Sequence, residues 1–223
     1  MSAIRRLALF DLDGTLTPRD TEDEWATLLG ERGIIDPAPH REFNAAYHRG
    51  DLDLDAYFAW YATVLRAAPL AELERLRDEL VRERMLPSVP TCARQWIEAA
   101  HAESDAVLLV TASNWFLTEP FGRALGFTDT LGTRYALVDG AFTGEREGEP
   151  CFREGKLHHV RAWLADRRTD FDALEHSTFF SDSHNDLPLL RAVDRPIAVD
   201  PDPQLLREAR AAGWEQQTLG DRA

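Results

Sequence analysis

The sequence predicts an α/β fold: a mostly parallel sheet layered between helices in the Rossmann manner, with an all-helical segment inserted after the first strand. Three observations predict it. Short apolar runs ending in a polar residue recur at residues 7–10 before Asp11, 106–110 before Thr111, 177–181 before Asp182 and 197–199 before Asp200, the pattern of strands buried on both faces. Helical stretches separate these runs, and that alternation calls for strands running parallel. Between the first and second runs, from Pro18 to Leu86, only helical periodicities occur.

After the first strand, Gly14 lets the chain turn sharply, so that Asp13 faces the same cleft as Asp11 at the edge where open α/β sheets bind ligands. Thr21-Glu22-Asp23-Glu24 has the spacing of a capping box, opening a helix with Trp25, Leu28 and Leu29 on its apolar face and Gly33 at its end. Helical patterns return over residues 41–49, 54–66 and 69–85. Pro87 and Pro90 oppose helix and mark a return hinge. The expected division is therefore an α/β core of residues 1–17 and 87–223 and a helical cap of residues 18–86. A helix over residues 91–102, with Trp96 and Ile97 inward, leads to the second strand. Residues 116–125 read as a helix that Gly126 stops. Asp139-Gly140 joins residues 135–138 to 141–143 as a hairpin with a type I′ turn, expected at the sheet margin. Residues 153–167 form a helix with Leu157, Val160, Trp163 and Leu164 on one face and Lys156 near its start. A last helix covers residues 203–212.

The 223 residues suffice for one sizeable core, or a main domain with a smaller insert. Its 25 basic against 39 acidic side chains give a formal charge of −14, which opposes nucleic-acid backbones and anionic lipid as partners. Cys92 and Cys151 stand far apart and outside any metal-binding spacing, so they read as reduced packing residues. No G-x-G-x-x-G or Walker A loop occurs, which disfavours nicotinamide and P-loop chemistry. The apolar run before Asp11, preceded by Met1-Ser2-Ala3-Ile4-Arg5-Arg6, is too short for a signal sequence or a membrane span, and a cytoplasmic protein is expected.

Asp11 and Asp13 repel one another, so the pair needs a cation, and oxygen donors without a soft partner favour Mg²⁺. A metal-held carboxylate is a competent nucleophile. The string alone leaves a second reading open, a βα turn in which either Asp caps the next helix. Because the carboxyl ends of parallel strands share one edge, Thr111 and Asp182 converge on Asp11 and Asp13, and Lys156 can join them from a helix start. A carboxylate nucleophile, a neighbouring acid, a hydroxyl donor, a fixed cation and a further metal carboxylate are the parts that phosphoryl transfer requires.

Here the sequence resembles the haloacid dehalogenase superfamily of phosphatases, motif by motif over nearly the whole chain. Asp11-Leu12-Asp13-Gly14-Thr15-Leu16 is similar to the first motif, Thr111-Ala112-Ser113-Asn114 to the second, Lys156 to the third, and Ser181-Asp182-Ser183-His184-Asn185-Asp186-Leu187-Pro188 to the fourth. The helical insert between the first two motifs resembles that of the phosphoserine-phosphatase-like branch. What the resemblance implies is a core with a small helical cap and a Mg²⁺-dependent hydrolysis in which Asp11 attacks phosphorus and becomes a transient aspartyl phosphate. Asp13 would protonate the leaving alcohol and then activate water, its carbonyl helping to hold the metal. Thr111 would bind a phosphoryl oxygen, and Lys156 would neutralise charge. Asp11, Asp13, Asp182 and Asp186 are the implied metal set. Ser113, Asn114 and Asn185 are expected beside the substrate, with Asn185 and Asp186 also positioning Lys156 and water. This chain carries Ser181 and Ser183 where the fourth motif usually has glycines, and Ala112 and Ser113 where close phosphoserine relatives have them.

Asp20, nine residues beyond Asp11, stands where phosphoserine phosphatases place an acid that reads the substrate ammonium, and Glu22, Asp23 and Glu24 crowd beside it. Acids in a helix's first turn also complement its dipole, which is the alternative. Arg41, Arg49 and Arg66 are equal candidates for a substrate carboxylate. Trp25, Tyr57, Trp60 and Tyr61 either line the pocket or form the insert's own core, the latter being the usual meaning of helically spaced aromatics. His158 and His159 read as surface residues, His184 as part of the fourth-motif loop, and Trp115 and Phe116 as cover for the cleft or the sheet. The expectation is hydrolysis of a small phosphorylated metabolite, an amino alcohol such as histidinol phosphate or phosphoserine. Phosphotransfer to an acceptor alcohol and a phosphate-binding module without turnover are the rivals.

Overall fold

The computed structural model describes residues 4–220; residues 1–3 and 221–223 of the expected core lie outside the described residues. Among the described residues the main sheet comprises β1 (Arg6–Phe10), β2 (Ala106–Asn114), β3 (Asp129–Thr133), then, after a separate antiparallel pair β4 (Tyr135–Val138) and β5 (Ala141–Arg146), β6 (His176–Ser181), β7 (Arg195–Val199) and β8 (Glu215–Gln217). Its order is β3-β2-β1-β6-β7-β8 and each neighbouring pair is parallel. β1 is central, and Phe10 is level with Leu109 on one side and Phe180 on the other. Asp11 therefore leaves the sheet between the ends of β2 and β6.

Alternation along β1 sends Ala8 and Phe10 to one face and Leu7 and Leu9 to the other. The Leu7 and Leu9 face packs on α8 (Glu154–Asp166), α9 (Leu187–Leu190) and α10 (Pro203–Ala212). On the opposite face lie α6 (Thr91–Glu103) and α7 (Trp115–Ala124), together with the helices that follow β1. Those are α1 (Thr21–Glu31), α2 (Ala38–Arg49), α3 (Leu54–Leu65) and α4 (Leu70–Leu80), with a π-helical turn Val81–Met85 leading into α5 (Leu86–Ser88). Trp25, Leu28, Tyr61, Leu73 and Leu76 of this insert share one continuous apolar cluster with Phe10, Ile97 and Phe121. No helix among the described residues is long and apolar enough to cross a membrane.

Several expectations need correction. α1 is capped by Asp20, whose Oδ1 accepts from the Glu22 and Asp23 N–H groups, and not by Thr21, whose hydroxyl turns to Asp13. α2 begins at Ala38, earlier than residue 41, because Pro37 sets its entry. Pro87 does not stop the helix: it sits in the first turn of α5, where its missing N–H is no loss, and the chain turns extended only at Val89. β2 runs past Thr111 to Asn114 through a register shift against β3. The Asp139-Gly140 turn has both φ angles positive, 50° and 76°, as a type I′ turn requires. Its hairpin, however, forms a sheet of its own against α3 and does not extend the main one.

Candidate active site

The loop after β1 is built from backbone. Asp11 N–H donates to Phe180 O at 2.9 Å, and the Leu12 carbonyl accepts from the N–H groups of Thr15 and Leu16 at 3.2 and 2.8 Å. Gly14 has φ +79°, and a Cβ there would lie 2.2 Å from Asp182 Oδ2, so the chain passes against that carboxylate only because residue 14 is glycine. Leu12 and Leu16 anchor the loop in the core.

This loop turns the two motif carboxylates to different partners. Asp11 Oδ1 accepts from Lys156 Nζ at 2.7 Å, and the same ammonium donates to Asp186 Oδ2 at 2.7 Å. Asp186 Oδ2 also accepts from Ser181 Oγ at 2.7 Å. Lys156 is only 2% exposed, and the two carboxylates raise its pKa against the opposing effect of burial. Asp13 Oδ1 accepts from Thr21 N–H at 2.9 Å and Thr21 Oγ1 at 2.5 Å, while Oδ2 accepts from Ser113 Oγ at 2.7 Å. Thr111, 1% exposed, accepts the Ser113 N–H on its Oγ1 at 3.1 Å, leaving its own proton to donate. Asp182 accepts from Thr15 Oγ1 at 3.3 Å.

Electrostatically the site has too few cations. Burial pushes Asp11 up to about 6 against the opposing field of Lys156, with Asp186 adding to the rise. Burial and then the Asp20 charge push Asp13 up to about 7. Asp182 is held well above the carboxylate range, by burial first and by Asp11 and Asp186 next. One ammonium thus serves three carboxylates. The carboxylates and hydroxyls around it are hard oxygen donors, and the nearby Cys151 thiol, pushed up to about 12 by burial, stays protonated, so the described residues fit Mg²⁺.

The other expected residues divide. Asn185 lies at the rim, its Oδ1 accepting from Arg153 Nε at 3.0 Å and its Nδ2 donating to Tyr47 Oη at 2.9 Å; it does not reach Lys156. Asn114 is buried away from the cleft: its Oδ1 caps α7 through Phe116 N–H at 2.9 Å, and its Nδ2 donates to Tyr61 at 3.4 Å. Asp20 is exposed and engaged as the α1 cap. Asp20, Asp23 and His40 bring ligand atoms within 4.8 Å of one another, with Asp23 already bonded to His40 and Asn44 at 2.6 Å. Trp25 and Tyr61 are core, and Tyr57 and Trp60 pack against them. Trp115 and Phe116 cover the sheet, Trp115 Nε1 donating to Thr130 O at 3.1 Å. His184 braces its loop on Asp202, and His158 and His159 bond Glu149 at the surface. Arg49 pairs with Asp51, Arg66 donates to Ala62 O, and Arg41 is exposed.

Sequence reasoning missed Tyr47 and Arg153, and placed Glu22 only within the acidic cluster. Glu22 joins the insert to the second motif, accepting from the Tyr57 hydroxyl and from Asn114 N–H; its place in the acidic cluster was the available signal. Tyr47 reaches the fourth motif from α2, and Arg153 reaches it from the turn before α8. Neither carries a local pattern, because each acts across long sequence separation.

A parallel sheet whose carboxyl edge gathers carboxylates around one buried lysine and a hydroxyl donor defines a phosphoryl-transfer hydrolase. The chain belongs to the haloacid dehalogenase-like hydrolases, whose family model matches residues 8–191. It is 33% identical over 216 residues to a histidinol-phosphatase of Neisseria meningitidis serogroup C, covering 95% of this chain and 97% of that one. A crystal structure of a protein of unknown function from Bordetella pertussis Tohama I superposes with a TM-score of 0.90 at 40% identity, covering 96% of this chain and 99% of that one. A substrate-bound phosphoserine phosphatase shares the fold, with a TM-score of 0.68 at 19% identity over 98% of this chain and 94% of that one. The chain is a phosphatase of this family.

Proposed function

We propose that this chain is a Mg²⁺-dependent phosphomonoesterase that hydrolyses a small phosphorylated amino alcohol through an aspartyl phosphate on Asp11, with histidinol phosphate favoured over phosphoserine. The observation that carries the reading is the division of labour at the first motif: Asp11 rests on Lys156 at 2.7 Å, whereas Asp13 is turned to Thr21 and Ser113.

Lys156 keeps Asp11 ionised and oriented for in-line attack. As the Asp11 oxygen bonds phosphorus, the ester P–O bond breaks and Asp13 gives its proton to the leaving alkoxide. Asp13 then takes a proton from water, which attacks the same phosphorus and releases phosphate and free Asp11. Thr111 donates to a phosphoryl oxygen throughout. Asp11, Asp182 and the Asp13 carbonyl would hold Mg²⁺, which when bound would supply charge neutralisation for the phosphoryl group. Asp186 acts through Lys156, and Ser113 acts through Asp13. Residues 18–86 serve as a cap domain on a core of residues 1–17 and 87–223, and its closure excludes bulk water from the first step. A cytoplasmic enzyme is the accompanying expectation.

Two observations support the choice of leaving group. Asp20, Glu22 and Asp23 cluster beside Asp13, which suits an ammonium or imidazolium head. The likeness to the histidinol-phosphatase of Neisseria meningitidis, over 95% of this chain and 97% of that one, supports histidinol phosphate over phosphoserine. The test is phosphate release with Mg²⁺ from histidinol phosphate, phosphoserine, phosphoethanolamine, sugar phosphates and nucleotides, beside Asp11→Asn. Preference for histidinol phosphate, lost in the variant, is expected. Undiminished release by Asp11→Asn would refute the mechanism, and preference for phosphoserine would refute the specificity.

A further inference from the structure

Arg153 adopts a backbone conformation that its residue type disfavours. Its φ of 53° and ψ of −121° lie where glycine enters freely and an L side chain enters at a cost. The turn that holds it is tight: Phe152 N–H donates to Pro150 O at 2.8 Å and Gly155 N–H to Phe152 O at 2.9 Å. Position 155, where a Cβ would fall 2.0 Å from Pro150 O, is glycine. Position 153 is not, although glycine would suit its dihedral angles better.

Arginine at 153 places a guanidinium at the rim, one turn before Lys156. Its Nε is tied to Asn185 Oδ1 at 3.0 Å, and its Cζ lies 4.9 Å from the centre of the Phe152 ring. Asn185 is 8% exposed and passes the connection to Tyr47 Oη at 2.9 Å and Ser183 Oγ at 3.3 Å. The Tyr47 hydroxyl in turn feels the charges of Asp182 and Asp11, so this corner adjoins the reaction centre. Among the described residues no carboxylate pairs with Arg153, and its two terminal nitrogens make no hydrogen bond. Lys156, by contrast, is already divided between Asp11 and Asp186.

We infer that Arg153 is a further substrate-binding contact, reading the phosphoryl group of the bound ester through its two terminal nitrogens; the phosphatase reading supplies the identity of the anion. A phosphoryl dianion must enter a site whose carboxylates outnumber its cations, so a second cation at the rim answers a need that Lys156 alone does not meet. A guanidinium tethered by Nε presents its remaining N–H groups in a fixed fork that matches two phosphoryl oxygens, and the tether lowers the entropy lost on binding. The backbone strain is then the cost of placing that fork beside the fourth motif.

The test compares wild type, Arg153→Gly and Arg153→Lys by calorimetric titration with inorganic phosphate in Mg²⁺ buffer, by steady-state hydrolysis of the best ester, and by thermal denaturation. Arg153→Gly is expected to bind phosphate about tenfold to a hundredfold more weakly, with a Tm no lower than wild type because glycine relieves the strain. Arg153→Lys keeps the charge and the strain but not the fork, and is expected to lose at least about tenfold in phosphate affinity. Phosphate affinity within about twofold of wild type in Arg153→Gly overturns the assignment, including the case where only kcat falls, since that is the mark of a residue acting through Asn185. A Tm clearly below wild type in that variant also overturns it, as does a wild-type protein that binds no phosphate. Should the wild type bind phosphate yet hydrolyse no ester, the phosphatase reading fails, and the phosphate affinities still judge Arg153.

Discussion

Replacing Lys156 by Met tests the electrostatic design of the site most directly. The substitution keeps an unbranched apolar side chain and removes the ammonium, which Asp11 and Asp186 share at 2.7 Å and which lies 5.9 Å from the centre of the Phe179 ring. Removing one partner of a buried ion pair costs about 3–5 kcal/mol when the remaining charge cannot escape. For a chain of this size each kcal/mol lowers Tm by about 2–4 °C, so the loss expected at high pH in metal-free buffer is about 6–20 °C. The orphaned carboxylates have an escape, however, which is to bind protons. Asp11 already stands near 6 with the ammonium in place, and without it Asp11 rises further. Native protein then holds more protons than unfolded protein, so stability falls as pH rises. The Tm deficit of Lys156→Met should accordingly be small near pH 5 and large near pH 8, and saturating Mg²⁺ should recover part of it. Circular dichroism melts at both pH values, with and without Mg²⁺, read the outcome. A deficit equal at the two pH values, or one below about 2 °C at both, would refute the charge accounting.

Two further outcomes follow from contacts around the same centre. Gly155→Ala sets a Cβ 2.0 Å from Pro150 O, a backbone atom with nowhere to go, so the turn that aims Lys156 must shift; a Tm loss of several degrees with a fall in kcat of at least about tenfold is expected, and an unchanged kcat would show that the turn is not what aims the lysine. Tyr47→Phe removes only the hydroxyl that links α2 to Asn185, worth about 0.5–1.5 kcal/mol; kcat/KM should drop about twofold to tenfold with a Tm loss of about 1–6 °C, and undiminished kcat/KM would exclude this contact from the site's function.

The strands that carry chemistry were legible because burial on both faces demands continuous apolar runs, and each run ends where its chain meets solvent and ligand. Asp11, Thr111 and Asp182 were found this way, and Lys156 through the motif order. β3 and β8 were not found, since Asp129-Thr130-Leu131-Gly132-Thr133 and Glu215-Gln216-Gln217 are margin strands with no apolar run to announce them. The capping box at Thr21 misled for a different reason. Thr21 and Asp20 both suit an N-cap, and the choice between them was made by Asp13, eight residues earlier, which takes the Thr21 hydroxyl. A local rule cannot see that competition. The same holds for Ser113 and Asn114, adjacent in sequence and both expected beside substrate. The bulge in β2 turns Ser113 to Asp13 and buries Asn114 as the cap of α7.

The insert shows why the catalytic half of such a chain is easier to read than its specificity. The phosphoryl chemistry rests on side chains at strand ends, where sheet register fixes position to within one residue. The contacts between insert and core rest instead on Glu22 and Tyr47, which meet Asn114 and Asn185 only where helices of the insert come down on loops of the core. Glu22 illustrates the consequence. Its carboxylate accepts from Tyr57 on α3 and from Asn114 at the end of β2, and burial together with the Asp20 charge holds its pKa well above the usual range. An acid in that position favours whatever brings a positive charge to it, so on the proposed reading a cationic leaving group and closure of residues 18–86 would stabilise one another. Specificity and closure would then be one equilibrium, acting through the acidic cluster beside the first motif.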